Sequence, residues 1–362
     1  ESIPEDGYPG SYLVEIGEEI AGREGDRFLK LPREEALEAL CQIGLEKMLA
    51  SIKNDLARMG VVHDRWFSER SLYESGLYDK IKALLAEKGY IAERDGAVWF
   101  TSSELGDDKD NVFIRSDGEP GYFASDIAYH YDKFVVRGFD KVIDVWGADH
   151  QGHVPRMKAA MRAIGVDPDD LVIILYQLVT LRRGGEIVRL SKRTGDIITL
   201  GEVLEEIGPD AVRFFLLARA ADSQMDLDLD LAVEQSSENP VYYVQYAHAR
   251  IASILRYAED IDYRDGDVSL LGHPAELALI RQMLRLPEMV EKSASSLSPH
   301  YLPFYAQELA GAFHPFYKQC RVVSSLPEDV ALNKARLKLV AAAKIALSRV
   351  LHLMGVAAPE VM

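Results

Sequence analysis

Only two of the 362 residues are cysteine, Cys41 and Cys320. Two such distant thiols make neither a disulfide framework nor a metal-ligand spacing, which fits a reducing compartment and excludes a metal site of cysteines. Each reads as a small buried hydrophobe. Long apolar runs are missing too. Nothing approaches the roughly 18 uninterrupted apolar residues of a membrane span, so no membrane partner is expected. No secretory or transit leader opens the chain, and the phosphate-loop pattern G-x-x-x-x-G-K-[ST] is absent. Positive charge is in deficit: 41 Lys and Arg face 58 Asp and Glu, a net charge of −17. Such a balance argues against nonspecific coating of DNA or any other nucleic acid.

What charge there is lies unevenly. From Glu1 to Glu38 there are eleven acidic and four basic residues, net −7; from Lys318 to Arg349 there are seven basic and two acidic, net +5. A chain so segregated can still dock one polyanion on one face. The length is enough for two or three domains. "LPREEALEALCQIGLEKMLASIKNDLARMG" predicts a helix with Pro32 in its first turn and Gly60 as its stop. Its apolar stripe is Leu37, Cys41, Leu45, Met48, Ile52, Leu56 and Met59. A second helix is expected over 75–88. Asp95-Gly96 between two β-prone runs predicts a tight hairpin. Up to about residue 115 the pattern is helix and hairpin with little catalytic chemistry.

The middle of the chain changes character. "KVIDVWGADHQGHVPRMKAAMRAIG" reads as strand, polar turn and helix, stopped by Gly165. "DDLVIILYQLVTL" follows as one strand buried on both faces. Together they form a βαβ unit and hence a parallel sheet. Ligands sit outside the carboxyl ends of such strands. There the sequence places "RLSKRTG", in which Arg189, Lys192 and Arg193 crowd beside Ser191 and Thr194. Lysine is a flexible point charge suited to phosphate, though a solvated turn has the same composition. Earlier, Tyr122 and Asp126 are four apart and share a face of any helix; by pattern alone Asp126 is also a good helix cap. From Asn239 onward the pattern is helical, with Asn239 as N-cap, Pro240 in the first turn, and further helices around 275–297, 301–323 and 331–354.

"RLSKRTG" resembles the K-M-S-K-S signature of class I aminoacyl-tRNA synthetases. "SDGEPGYFASDIAYHYDKF", "VWGADHQGH", "RLSKRTGDIITL", "GPDAVRFFLLARAADSQMDLDLDLA" and "ENPVYYVQYAHARI" are, in this order, similar to bacterial arginyl-tRNA synthetases. The likeness covers essentially the whole chain. It implies an α/β plus all-α architecture: the second half of a Rossmann-like catalytic fold, then a helical anticodon-binding bundle. The implied segments are 1–115 (connective), 116–200 (nucleotide fold), 201–236 (helical stem-contact linker) and 237–362 (anticodon-binding). ATP with Mg²⁺, L-arginine and tRNA(Arg) are the implied substrates and partners, in the cytoplasm, with no resident metal.

By the same resemblance Tyr122, Asp126 and His150 bind arginine, and Gly147, Asp149, His150, Arg189, Ser191 and Lys192 bind ATP. Lys192 and Ser191 act in catalysis. His153 reads equally as a ligand or as a structural histidine at a helix start. "HQGH" at 150–153 fits the H-x-G-H signature, but only 35 residues separate His153 from Arg189, too few for the family's connecting insertion; it resembles the later G-x-D-H element instead. Tyr242 and Tyr246, with Tyr243 and Tyr317, lie at the helical spacing of core residues and are also candidates to stack on tRNA bases. Lys318, Arg321 and Arg336, with Lys334 and Lys338, are candidate phosphate contacts or a solvated face. The first residue is Glu1, not methionine, and no true H-x-G-H element is present, so the expectation is a C-terminal two-thirds, inactive by itself. Another class I synthetase and a non-catalytic tRNA-binding remnant are the alternative readings.

Overall fold

The structure is a computed structural model that describes residues 11–188 and 198–362. Two compact units form. Among the described residues, one comprises 11–62, 179–188, 198–220 and 225–362; the other comprises 63–178 with 221–224.

The first unit opens with α1 (Ser11–Glu24) and α2 (Arg33–Arg58). Gly60 takes φ +69 just past α2, the left-handed conformation that ends a helix. The expected stripe of α2 is not buried: Leu37, Leu45, Met48 and Ile52 are all exposed and the helix has no buried residue. Periodicity reports which face is apolar, not whether anything covers it. Cys41, on the same helix, is exposed, whereas Cys320 is buried.

The second unit begins with α3 (Arg70–Glu74) and α4 (Leu77–Glu87). A three-stranded antiparallel sheet follows: β1 (Ile91–Arg94), β2 (Ala97–Phe100) and β3 (Asn111–Ile114). Asp95 and Gly96 both take positive φ, +52 and +74, which the two-residue hairpin between β1 and β2 demands. Next comes α5 (Tyr122–Tyr131), which widens into a π turn at Asp132–Val136. Then β4 (Val142–Gly147), a 3₁₀ turn (Ala148–His153), α6 (Val154–Ile164) and β5 (Leu171–Tyr176) complete the βαβ unit, β4 and β5 pairing in parallel. Ile81, Leu85, Phe100, Phe113, Ile127 and Met161 are its fully buried centre. Along β4, Val142 and Asp144 point inward, while Ile143 and Val145 face outward and are exposed.

The long apolar run 171–181 is two strands, not one. Chain returns to the first unit as β6 (Val179–Arg183), joined through Gly184-Gly185 to β7 (Glu186–Ile187). Both glycines take positive φ, +60 and +77. That Gly-Gly pair between β-prone residues is a hairpin signal the periodic reading passed over. The cationic loop therefore follows this hairpin and not β5 directly. Arg182 binds Asp226, Arg183 binds Glu206, and the Gly184 N–H donates to Asp230, which braces the hairpin. Beyond come α7 (Leu200–Leu217), a strand β8 (Met225–Asp228) parallel to β6, and α8 (Leu229–Val233).

The remaining chain is helical: α9 (Pro240–Tyr257), α10 (Pro274–Leu284), α11 (Leu286–Ser295), α12 (Tyr301–Gln319) and α13 (Val330–Met354). Asn239 caps α9, its side chain accepting from the N–H groups of Val241 and Tyr242. Pro287 starts α11 afresh, which splits the helix expected over 275–297. Phe214, Val244, Leu279, Phe313, Phe316 and Val350 belong to one large core. Among the described residues no helix is long and apolar enough to cross a membrane.

Candidate functional site

The chemistry of the second unit gathers on α5. Gly121 precedes the helix as its N-cap and Asp126 lies mid-helix, so Asp126 is no cap. Two hollows share Asp126 and Tyr129 in their walls. One, of about 410 Å³, is also lined by Lys133, Asp144, Trp146, His150, His153 and Arg156. The other, of about 300 Å³, adds His63, Arg65, Trp66, Phe67, Glu69 and Ser125. The first is rich in cations. The second pairs two carboxylates with three aromatic rings.

Asp126 keeps solvent contact, yet enough protein crowds around it that burial raises its carboxyl above the usual range; His130, Arg156 and Lys133 pull it back, and Glu69 pushes it further up. Glu69 is held by Ser125, whose hydroxyl donates to its Oε1 at 2.5 Å. Tyr129 stacks on Phe67 with ring centres 4.1 Å apart, and the Lys133 ammonium sits 4.4 Å over the other partner's ring, Tyr129. Asp144, inward on β4, accepts from His130 Nε2 and Lys133 Nζ, both at 2.7 Å. Burial by itself would raise Asp144, but those two bonds outweigh it and hold its carboxyl below the usual range.

At the end of β4 the backbone turns sharply. A Cβ on Gly147 would come within 2.4 Å of Asp149 Oδ1, so a larger residue there would require the exposed Asp149 carboxylate to swing aside. His150 Nε2 lies 3.7 Å from Asp149 Oδ2, and the His150 and His153 rings are 5.2 Å apart. Burial, with the charges of Arg156 and His150, lowers His153. Arg156 donates to Asn111 Oδ1 at 2.8 Å and lies over Phe123 at 4.7 Å; its Nε is buried without a hydrogen-bond partner.

Of the residues expected from sequence, the structure brings Asp126 and His150 onto one hollow, with Gly147 and Asp149 beside it. Tyr122 starts α5 but is 81% exposed under Arg115 and lines neither hollow. Arg189, Ser191 and Lys192 lie outside the described residues. Glu69, Trp66 and Phe67 went unread, because the stretch "HDRWFSER" has no periodicity; its one signal is a carboxylate close behind two large rings.

In the first unit a second cluster forms on α9 and α12. Tyr242 and Tyr246 stack with centres 6.0 Å apart, and Arg250 lies over both Tyr246 (5.4 Å) and Tyr317 (5.2 Å). Arg250 also donates to the Tyr246 hydroxyl at 2.5 Å. Lys318 is exposed next to Tyr317. Arg321 donates to the Val323 carbonyl, and Arg336 is engaged internally: Nε donates to buried Glu276 at 2.7 Å and Nη1 to the Arg321 carbonyl. Lys334 pairs with Asp265, and Lys338 reaches the carbonyls of Arg264 and Gly266.

A parallel βαβ unit whose turn carries Gly-x-Asp-His, beside a helix whose Asp126 lines both hollows, has a clear counterpart. Residues 18–250 match the family model described as tRNA synthetases class I (R), catalytic domain, and residues 244–362 match the DALR anticodon binding domain. The chain belongs to the class I tRNA synthetase (R) family, with a class I catalytic domain followed by a helical anticodon-binding domain. It is 57% identical over 363 residues to the arginine–tRNA ligase of Dehalococcoides mccartyi, covering 100% of this chain and 65% of that protein. To the arginine–tRNA ligase of Carboxydothermus hydrogenoformans it is 52% identical, covering 99% and 65%. A solved structure from Campylobacter jejuni, described there as a candidate arginyl-tRNA synthetase, superposes with a TM-score of 0.90 at 34% identity and covers 100% of this chain and 78% of that one. The chain thus spans about 65% of the length of these two curated relatives.

Proposed function

We propose that this chain is the arginine-recognising, nucleotide-handling and tRNA-binding part of a cytoplasmic arginine–tRNA ligase. In that reaction the carboxylate of L-arginine attacks the α-phosphate of ATP, giving arginyl-adenylate and pyrophosphate, and arginine then passes to a terminal ribose of tRNA(Arg). The observation that carries the reading is the hollow holding Glu69 and Asp126 beside Trp66, Phe67 and Tyr129. Two carboxylates satisfy a guanidinium through charge-assisted bonds, and ring faces favour its flat cation. The adjoining hollow supplies the cations Lys133 and Arg156, with the imidazoles of His150 and His153 beside them, a set suited to the carboxylate and phosphate end of an adenylate. Residues 116–200 serve nucleotide and arginine, 1–115 form a connective segment that also lends Trp66, Phe67 and Glu69 to the arginine hollow, 201–236 contact the tRNA stem, and 237–362 read the anticodon.

Tyr242, Tyr246 and Tyr317, with Arg250, suit stacking on unpaired bases. Lys318, exposed beside them, has no ion pair among the described residues and can reach phosphate, while Arg321 and Arg336 are already committed to internal bonds. Among the described residues no three His, Cys, Asp or Glu side chains stand together as a metal cage. Mg²⁺ would arrive on the nucleotide phosphates, its usual manner of binding.

The discriminating experiment compares L-arginine with L-citrulline, which keeps the shape but replaces the cation with a neutral urea. In a chain extended to the length of its relatives, arginine-dependent ATP–pyrophosphate exchange is expected, with citrulline at least a thousandfold poorer in kcat/KM. Equal use of the two would end the guanidinium reading. In the same protein Lys192→Ala is expected to slow exchange at least tenfold, about 1.4 kcal/mol of transition-state stabilisation. An unchanged rate removes that loop from catalysis.

A further inference from the structure

His130 is buried on α5, one turn beyond Asp126, and none of the roles assigned above uses it. Its Nδ1 lies 2.7 Å from the main-chain oxygen of Asp126, and its Nε2 lies 2.7 Å from Asp144 Oδ2. A carbonyl oxygen only accepts, and so does an ionised carboxylate. Both bonds are satisfied together only when each ring nitrogen carries hydrogen, which is the imidazolium. The Lys133 ammonium occupies the other Asp144 oxygen at 2.7 Å. His130 and Lys133 at +1 each and Asp144 at −1 sum to +1, buried directly behind Asp126.

We propose that His130 is a positioning residue for Asp126: clamped between the Asp126 carbonyl and the Asp144 carboxylate, it fixes the turn of α5 that presents the guanidinium-binding carboxylate and backs it with a permanent positive charge. This rests on Asp126 being the arginine contact. The charge answers a problem in the site. Crowding favours the neutral form of Asp126, which would be useless toward a guanidinium, and Glu69 pushes the same way. Against them stand His130 and Lys133 on α5 and its π continuation and Arg156 on α6; His150 and His153 line the same hollow. His130 alone combines charge with a hydrogen bond to the residue it serves. Facing His130 itself are Asp144 from β4, Lys133, and the Tyr129 ring at 6.4 Å.

The test uses the 362-residue chain and does not need catalysis. In ¹⁵N-labelled wild type at pH 7.5, long-range ¹H–¹⁵N correlation is expected to show hydrogen on both His130 ring nitrogens; a neutral tautomer overturns the proposal, and this measurement stands even if variants fold poorly. With ¹³C-labelled aspartate and no ligand, His130→Gln is expected to raise the Asp126 titration midpoint by at least half a pH unit. A merely structural histidine would leave the midpoint where it was, and that result also overturns the proposal. Finally, L-arginine affinity by calorimetry should fall at least fivefold in His130→Gln at pH 6 and less at pH 8. If Asp126→Asn binds L-arginine as wild type does, the arginine reading is wrong and the positioning role falls with it, while the first two measurements would still report the charge clamp.

Discussion

Asp126→Asn is expected to weaken L-arginine at least a hundredfold, about 2.7 kcal/mol, while shifting ATP by less than threefold. The change is nearly isosteric, so packing on α5 is kept and the effect reads charge alone. An amide offers a guanidinium one neutral acceptor and turns a donor toward its N–H groups, leaving that part of the cation desolvated and unpaired. Glu69→Gln should do less, because Glu69 already shares Oε1 with the Ser125 hydroxyl. The pH profile follows from the raised carboxyl of Asp126. As pH falls, this group takes up its proton earlier than an ordinary carboxylate, so arginine binding declines on acidification from a higher pH than usual. Asp126→Asn should lack that limb. Equal weakening of arginine and ATP would count against a guanidinium contact.

Why was half of this site readable from letters and half not? Local rules carry across a few residues. The Asp95-Gly96 turn, the Asn239-Pro240 helix start and the Gly165 stop each depend on one backbone conformation, and each appears where the residues put it. The Tyr-x-x-x-Asp spacing likewise places Asp126 on α5. Glu69 meets Asp126 only because α3, α4 and the β1–β3 sheet fold between them, and no periodic pattern encodes that meeting. His130 and Asp144 are fourteen apart, on a helix and a strand, and their bond depends on a polar side chain occupying an inward strand position where an apolar one is the norm. The run 171–181 misled for a related reason: apolar letters do not mark where a strand leaves one sheet for another. In α2 the stripe is real and the burial is not. Hydrophobic pattern predicts a face; cover depends on what else the chain brings to it.

The inward carboxylate of β4 makes the second large prediction. Asp144→Ala is expected to destabilise the unit of residues 63–178 by about 3–5 kcal/mol, since removing one partner of a buried ion network strands the others. Here it would strand two cations, His130 and Lys133. All three tryptophans, Trp66, Trp99 and Trp146, lie in this unit, so tryptophan fluorescence in urea reports its unfolding separately from the helical bundle. Because the folded-state carboxyl of Asp144 is lowered, its contribution is complete above the unfolded carboxylate value of about 3.9 and is lost as pH falls through the lower folded value. The Asp144 contribution to the gap between wild type and Asp144→Ala should therefore close in strong acid. Replacing the three groups together, Asp144→Leu with His130→Leu and Lys133→Met, should cost less than Asp144→Ala alone, because no charge is then left buried without a partner. A triple variant weaker than the single one would mean that the trio holds β4 to α5 by attraction in excess of its desolvation, and that Asp126 depends on it for its place as well as its charge.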